Sequence, residues 1–367
     1  MRIAFYAPMK APDHERPSGD RTMARQFLRL LGELGHDVEI ASTLRTWEAG
    51  SGERQEAILA AAIRERDSLL GRWQARPPDL WFTYHLYHKA PDHLGPAIAD
   101  ALDIAYVVAE PSISPARANG RWRRPWTQAR AAMERADALL AITLKDERGL
   151  LAAGLPRRKI VRLLPFIDAT DVSTRRNEAR GALVREFGLD RDRVIAVTVA
   201  MMRPGDKLES YRVLARTLAT LNRDDMQLLV IGDGPSRGEV EHLLAGRAVF
   251  AGIREEEWIR RIMAGCDLFI WPAINEAYGM AILLAQACGC PVAAGDAPGV
   301  GEIVNHGDTG LLAPAGDAET LAAAVSGLLD DPALRRSMGD AGRRHVLRHH
   351  SCDTARHVLA RVLEMRP

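Results

Sequence analysis

The sequence predicts an α/β protein of two Rossmann-like domains facing a central cleft. Three observations carry this. Short apolar stretches alternate with longer ones whose apolar residues recur at three- and four-residue steps, the rhythm of parallel βαβ units. The rhythm breaks over 169–180, where the chain turns polar and charged, and then restarts. The length of 367 residues suits two domains of about 150 each.

Each element follows from its local pattern. Residues 2–7 form a short apolar strand, and 8–20 a proline-rich loop ending near Ser18 and Gly19. Over 22–34, Met23, Phe27, Leu30, Leu31 and Leu34 share one helical face, and Gly35 stops the helix. Strand 37–41 completes a parallel unit. Strands over 79–84, 105–109, 138–142 and 160–164 then alternate with helices over 94–102, 126–135 and 146–153, and Pro165 closes the block. After the break, strands fall at 194–200, 227–231, 248–251, 268–271, 292–294 and 311–313. Helices over 208–221, 236–244, 255–264 and 280–288 separate them, and helices over 318–329, 332–347 and 354–365 finish the chain. The expected domains are 1–170 and 171–350, with the C-terminal helix 351–367 packing back on the first. Ligands in such sheets bind at the carboxyl ends of the strands, here in the cleft.

Composition narrows the class. Lys+Arg number 49 and Asp+Glu 48, a net charge of +1, which argues against a global polyanion binder, and no nucleic-acid-binding module accompanies the basic residues, so nucleic acid is not expected as a partner. A hydrophobic share of 47% with 26% charged residues excludes wholesale disorder. The balance hides an asymmetry: residues 1–170 carry 25 basic against 21 acidic side chains, the remainder 24 against 27. Much of the basic excess lies over 115–135, where Arg117, Arg121, Arg123, Arg124, Arg130 and Arg135 meet only Glu134, with Trp122 and Trp126 between them. That stretch reads either as a solvated helix face or as a surface for an anionic acceptor or an anionic membrane. The four cysteines include no C-x-x-C pair, so zinc is not expected and the thiols read as reduced. The N-terminus lacks a signal-peptide pattern, and no window approaches 18 uninterrupted apolar residues. The expected location is cytoplasmic, at most peripheral on the inner face of the membrane.

The densest motif runs from Asp267 to Leu312: D-L-F-I-W-P-A-I-N-E-A-Y-G-M-A-I-L-L-A-Q-A-C-G-C-P-V, then P-G-V-G-E-I-V-N-H-G-D-T-G-L-L. Earlier, R-P-G-D-K from Arg203 to Lys207 follows the first strand of the second domain. Together these resemble the donor-binding region of glycosyltransferase family 4, the glycosyl transferases group 1 of the GT-B fold. Pro272, Glu276, Tyr278 and Gly279 match its first half; Gly289, Pro291, Val292, Gly299, Glu302, Gly307, Thr309, Gly310 and Leu311 match the rest. The resemblance is specific mainly over 195–315 and extends weakly through the Ser18-Gly19 loop, Gly35-His36-Asp37 and Pro78-Asp79-Leu80. It implies a retaining, metal-independent hexosyltransferase that moves a sugar from a nucleoside-diphosphate sugar to a hydroxyl acceptor, of the lipid-linked or cell-envelope glycan kind. No cofactor beyond that co-substrate is implied.

The resemblance also implies roles. Arg203 and Lys207 would hold the donor diphosphate, and Glu276 the donor sugar. Gly19, Gly234, Ile253, Ala277, Tyr278 and Gly279 would complete the donor contacts. Glu276 matches the first Glu of the family's E-x7-E motif; where the second belongs, this chain has Leu284, which reads as core. Elementary chemistry agrees with the cations: cleaving a sugar–diphosphate bond builds negative charge on the leaving phosphate, and fixed cations lower that barrier. A helix starting near Gly279 offers free N–H groups to phosphate. Gly19 offers the same from the other domain, or is a plain helix-start glycine.

On the acceptor side the family commonly has a His after a strand where this chain has Glu110. Glu110 either orients the donor sugar or acceptor hydroxyl, or caps a turn. His85 and His88 end the preceding strand and either bind acceptor hydroxyls or a metal, or simply pack. Three other signals compete. Gly234 to Gly238 fits G-x-S-x-G, so Ser236 with His306 and Asp267 would make a serine hydrolase. Asp190-Arg191-Asp192 mimics a D-x-D metal motif but precedes a strand. Leu284 admits a non-catalytic, sugar-nucleotide-binding scaffold.

Overall fold

The computed structural model describes residues 1–15, 18–169 and 175–364. Its chain divides into two compact units, Met1–Leu164 with the chain from Ala355 onward, and Pro165–Thr354. Positions 170–174 of the expected linker lie outside the described residues.

The first unit contains β1 (Arg2–Tyr6), α1 (Gly19–Glu33), β2 (Asp37–Ser42), α2 (Gly52–Arg72), β3 (Leu80–Tyr87) and α3 (Gly95–Leu102). It continues with β4 (Ala105–Ser112), α4 (Arg123–Arg135), β5 (Ala138–Ala141), α5 (Leu144–Ala152) and β6 (Ile160–Arg162). All six strands are parallel, in the order β2-β1-β3-β4-β5-β6. Strands covered on both faces read as apolar runs, and Phe5, Phe27 and Phe82 fill one part of this core, with Phe5 stacked on Phe82 at 5.7 Å. The buried carboxylate of Asp92 accepts hydrogen bonds from Trp81, Thr83 and Tyr106 and from the backbone of Leu94 and Gly95 at the start of α3. A buried polar group with that many donors is a satisfied structural group.

The second unit contains α6 (Arg176–Phe187), β7 (Val194–Val199), α7 (Asp206–Leu221), β8 (Met226–Ile231), α8 (Arg237–Leu243), β9 (Ala248–Gly252) and α9 (Glu256–Met263). Then follow β10 (Leu268–Trp271), α10 (Met280–Ala287), β11 (Val292–Asp296), β12 (Gly310–Pro314), α11 (Ala318–Asp330) and α12 (Pro332–His349). The sheet is again parallel, ordered β12-β11-β10-β7-β8-β9. This is the dinucleotide-binding order, with its reversal between β7 and β10. At the amino end of β10, Asp267 is locked by Arg176, Arg180 and the Ile195 N–H. The last helix, α13 (Cys352–Glu364), passes into the first unit, where Arg356 pairs with Glu33 of α1 at 2.9 Å.

Two helices escape the sequence pattern. α2 buries only Ala62 and Leu69 along 21 residues, so it has no apolar stripe for periodicity to find. α6 begins inside the stretch expected to be linker, and it buries only Ala179 and Leu183.

Candidate functional site

Five loops meet at the carboxyl edge of the second sheet, and glycine is what lets them interlock. A Cβ on Gly234, whose φ is +154°, would lie 2.3 Å from the Met202 carbonyl oxygen. One on Gly232 would lie 2.0 Å from the Ala200 oxygen, and one on Gly299 only 1.5 Å from that of Ala277. The first two contacts tie the loop after β8 to that after β7, and the third ties the loop after β11 to that after β10. The Gly232 N–H donates to the Gly252 carbonyl at 2.9 Å and adds the carboxyl end of β9.

Lys207 and Glu276 meet at the strand-order reversal. Lys207 lies in the first turn of α7, just after β7, and its Nζ pairs with Glu276 Oε2. Glu276 comes from the loop after β10, where Ala273 and Asn275 take left-handed φ values of 55° and 50°. That backbone is costly for residues other than glycine and is held in place by its neighbours. The Ser210 hydroxyl accepts from the Ile274 N–H at 3.0 Å, and Asn275 donates to Asp206 at 2.9 Å. Trp271 Nε1–H donates to the same Glu276 oxygen at 3.1 Å, and the Lys207 ammonium stands 5.3 Å from the indole centroid. Both charged side chains are mostly covered, at 19% and 16% exposure.

The other expected donor residues gather on this edge. Arg203 is exposed and makes no ion pair with a described residue. Ala277 is exposed, Tyr278 buried, and Gly279 takes φ +66° as the N-cap of α10. Ile253, after β9, is 65% exposed, an unusual place for a large apolar side chain in this unit. Leu284 packs in the core. Gly19 belongs to the first unit. It opens α1, and an added Cβ would meet nothing within 4 Å, so no steric demand for glycine exists there.

The serine-hydrolase reading is corrected by the topology. Ser236 follows β8, at the carboxyl edge, whereas Asp267 precedes β10 at the opposite edge and is consumed by two arginines. His306 Nδ1 accepts from the Leu312 N–H at 2.9 Å. Ser236 has φ −96° and ψ 13°, without the strain of a nucleophile elbow. The D-x-D mimic is a loop in which Asp190 accepts from the Asp192 N–H at 2.9 Å. No cluster of three or more potential metal ligands occurs among the described residues.

In the first unit, His85 and Glu110 come together, and Asp20 joins them unforeseen. His85 Nδ1 lies 3.1 Å from Asp20 Oδ1 and 3.5 Å from Glu110 Oε1. Burial alone would push the imidazole pKa down; the charges of Glu110 and Asp20 reverse this and raise it to about 9. His88 goes the other way: burial, helped by Lys89 and Arg117, lowers it to about 4, and its ring stands edge-on to Trp122 at 5.0 Å. It is thus a neutral, packed ring, apart from the His85 cluster. The sequence offered one signal for Asp20, its place beside the Ser18 cap in the first turn of α1.

The basic stretch forms a concave surface of about 480 Å³ lined by Gly120, Arg121, Arg123, Arg124, Thr127 and Gln128. Within reach of these arginines the described ion pair is Arg124 with Glu56, at 3.5 Å. No described helix is long and apolar enough to cross a membrane.

Known proteins share this architecture. The structure of HepE from Anabaena, solved with UDP and glucose, superposes with a TM-score of 0.74 at 18% identity, covering 99% of each chain. The fold is that of the GT-B glycosyltransferases. The family model "Glycosyl transferases group 1" matches residues 193–331. The chain is 32% identical over 223 residues to the alpha-D-kanosaminyltransferase of Streptomyces kanamyceticus, covering 59% of this chain and 56% of that protein, little more than half its length. It is 30% identical over 342 residues to the 2-deoxystreptamine glucosyltransferase of the same organism, covering 87% and 86%. The chain belongs to the glycosyl transferases group 1.

Proposed function

We propose that this protein transfers a sugar from a nucleoside-diphosphate sugar to a hydroxyl acceptor, with retention at the anomeric carbon and without a metal. The Lys207–Glu276 pair at the strand-order reversal of the second sheet carries this reading. A diphosphate arriving there meets two cations, one of them, Arg203, with no ion-pair partner among the described residues. Lys207 exchanges its carboxylate partner for phosphate oxygen, while Trp271 keeps Glu276 aimed through its indole N–H. Glu276 then accepts from sugar hydroxyls and faces the positive charge that develops on the ring. The acceptor oxygen bonds to the anomeric carbon on the face the phosphate leaves, and its proton passes to a phosphate oxygen. With two side-chain cations at the leaving group, no metal is required. Ile253 offers an apolar surface to the base.

HepE was solved with UDP and glucose, and two relatives are named as transferases of kanosamine and glucose units. UDP-hexoses are therefore the first donors to try. The arginine-lined concavity of α4 supports an anionic acceptor or a peripheral stay on an anionic, inner membrane face, and a cytoplasmic enzyme with a lipid-linked or envelope acceptor fits it. A thermal-shift panel of sugar nucleotides tests the donor claim, since a bound donor stabilises the fold by mass action. Stabilisation by one or more sugar nucleotides is expected; none across the panel would remove the reading. A scaffold would bind a donor and turn nothing over, so nucleotide release with an acceptor panel separates it from an enzyme.

A further inference from the structure

One face of α7 grips the loop after β10. Asp206 and Ser210, like Lys207 and Tyr211, are one helical turn apart and so share a side of the helix. Each of the four touches a different residue of 271–276. Asp206 meets Asn275, Lys207 meets Glu276, Ser210 meets Ile274, and the Tyr211 ring stands edge-on to Trp271 at 5.2 Å. Ser210 is fully buried and uses its hydroxyl twice: it donates to the Asp206 carbonyl at 2.8 Å and accepts from the Ile274 N–H at 3.0 Å. The Tyr211 hydroxyl is anchored on the Ala200 carbonyl at 2.9 Å.

The gripped loop is a strained turn. The Glu276 N–H closes it on the Ala273 carbonyl at 3.1 Å, and Ala273 and Asn275 both take left-handed backbone. β11 presses on its start: a Cβ on Gly295 would lie 1.9 Å from the Pro272 carbonyl oxygen. Asparagine tolerates left-handed backbone better than most residues, which accounts for its presence but not for the reach of its amide to Asp206 Oδ2 at 2.9 Å. Asp206 in turn makes an unusual choice. A first-turn carboxylate ordinarily serves its own helix; here it crosses to the loop, although the N-cap Gly205 leaves α7 without a side-chain cap. Two consecutive residues of α7 thus hold two consecutive residues of the loop, and the second of these is Glu276.

We propose that Asn275 and Asp206 are positioning residues for Glu276: their hydrogen bond fixes the turn so that the carboxylate keeps its place when Lys207 lets it go. The ion pair serves only while no anion competes for the ammonium. Once Lys207 turns to a phosphate, Glu276 retains the Trp271 indole N–H at 3.1 Å and its own backbone. The backbone is strained and relaxes unless something else holds it. Asn275 and Asp206 supply that hold from outside the charged pair, at an exposed position where the bond adds little to global stability. A reacting group displaced by an ångström costs up to about a hundredfold in rate. The kinetic consequence rests on the transferase reading; the hold on Glu276 does not.

The test uses the full chain. Asn275→Gly keeps the left-handed backbone and removes the amide. Its kcat should fall about tenfold or more while the donor KM stays within about threefold of native, the pattern of a group aligned for the transition state. Asn275→Asp sets two carboxylates side by side and should be worse. Adding Asp206→Asn to it exchanges donor and acceptor at constant net charge, and should bring kcat back to within about threefold of native. A merely structural tie would move Tm and leave the kcat of the folded protein alone. A second readout needs no turnover: the ¹⁵N indole signal of Trp271, identified by its loss in Trp271→Phe. Lys207→Met imitates the released state. In that protein, adding Asn275→Gly should shift the signal, and adding the exchanged pair should leave it in place. Native kcat in Asn275→Gly, an exchanged pair no better than Asn275→Asp, or an indole signal indifferent to Asn275→Gly would overturn the proposal. A native chain that turns over no donor sinks the transferase reading instead, and the indole comparison still decides this one.

Discussion

Replacing Lys207 with Met separates chemistry from stability. Met keeps an unbranched stem beside Trp271 and removes the charge. Glu276 is then left with its Trp271 donor at 3.1 Å and no cation, at 16% exposure. Breaking a fully buried pair costs about 3–5 kcal/mol and an exposed one at most about 1. A mostly covered pair at a solvent-facing edge falls between, at about 1–2 kcal/mol. For a unit of this size that lowers Tm by roughly 2–8 °C, and a fold of about 5–15 kcal/mol survives it. Losing one charge at the leaving phosphate removes about 2.7–4 kcal/mol of transition-state stabilisation, or 10²–10³ in turnover. Nucleotide release under saturating donor, beside a melting curve, reads both. The expected outcome is a protein folded at 25 °C with turnover down at least about a hundredfold. Native turnover in the folded variant would refute the role of Lys207; a turnover loss matched by unfolding would refute the separation.

Other variants probe the frame around the site. Gly234→Ala places a Cβ 2.3 Å from the Met202 carbonyl and should lower Tm by several degrees and abolish the donor-induced shift, whereas Gly19→Ala, with open space around it, should leave Tm unchanged; equal Tm values would contradict the interlocked-loop account. His350, buried and donating from Nδ1 to the Pro165 carbonyl at 2.7 Å, has its pKa lowered by burial from 6.5 to about 4. Its unfolded form binds a proton first, so its contribution is full above pH 6.5 and lost as pH falls toward 4. Denaturant titrations should therefore show stability falling across that window, with a shallower fall in His350→Asn; parallel slopes would argue against it. Charge reversal at Arg121, Arg123 and Arg124 should abolish salt-sensitive co-sedimentation with anionic vesicles, and no salt-sensitive binding by the native protein would make the α4 surface a plain solvated face.

The alternating units were legible because parallel strands buried on both faces must be apolar, as in the Val-Ile-Ala-Val-Thr-Val run of β7. α2 and α6 are not, since each fully buries only two side chains. In the second unit, Lys207 and Glu276 could be named from their loops; that they pair could not, because 69 residues separate them and only the β7–β10 reversal brings them together. Gly234 was readable as a turn, and its steric necessity came from Met202, a residue without any signal. In the first unit the sequence grouped His85 with His88 by spacing. The fold divides them: left-handed backbone turns His85 toward Asp20 and Glu110, while His88 packs on Trp122. Asp20 does not stand out in the sequence because an acidic residue in a first helical turn is ordinary on its own.

Anomeric proton NMR of the product formed from UDP-glucose or another stabilising donor, with the acceptor panel and excess EDTA, tests the proposal of sugar transfer with retention by fixed side-chain cations. One nucleoside diphosphate released per glycoside formed is expected, with the donor's anomeric configuration kept in the product. An inverted product, transfer that stops with EDTA, or donor binding without any glycoside would contradict it.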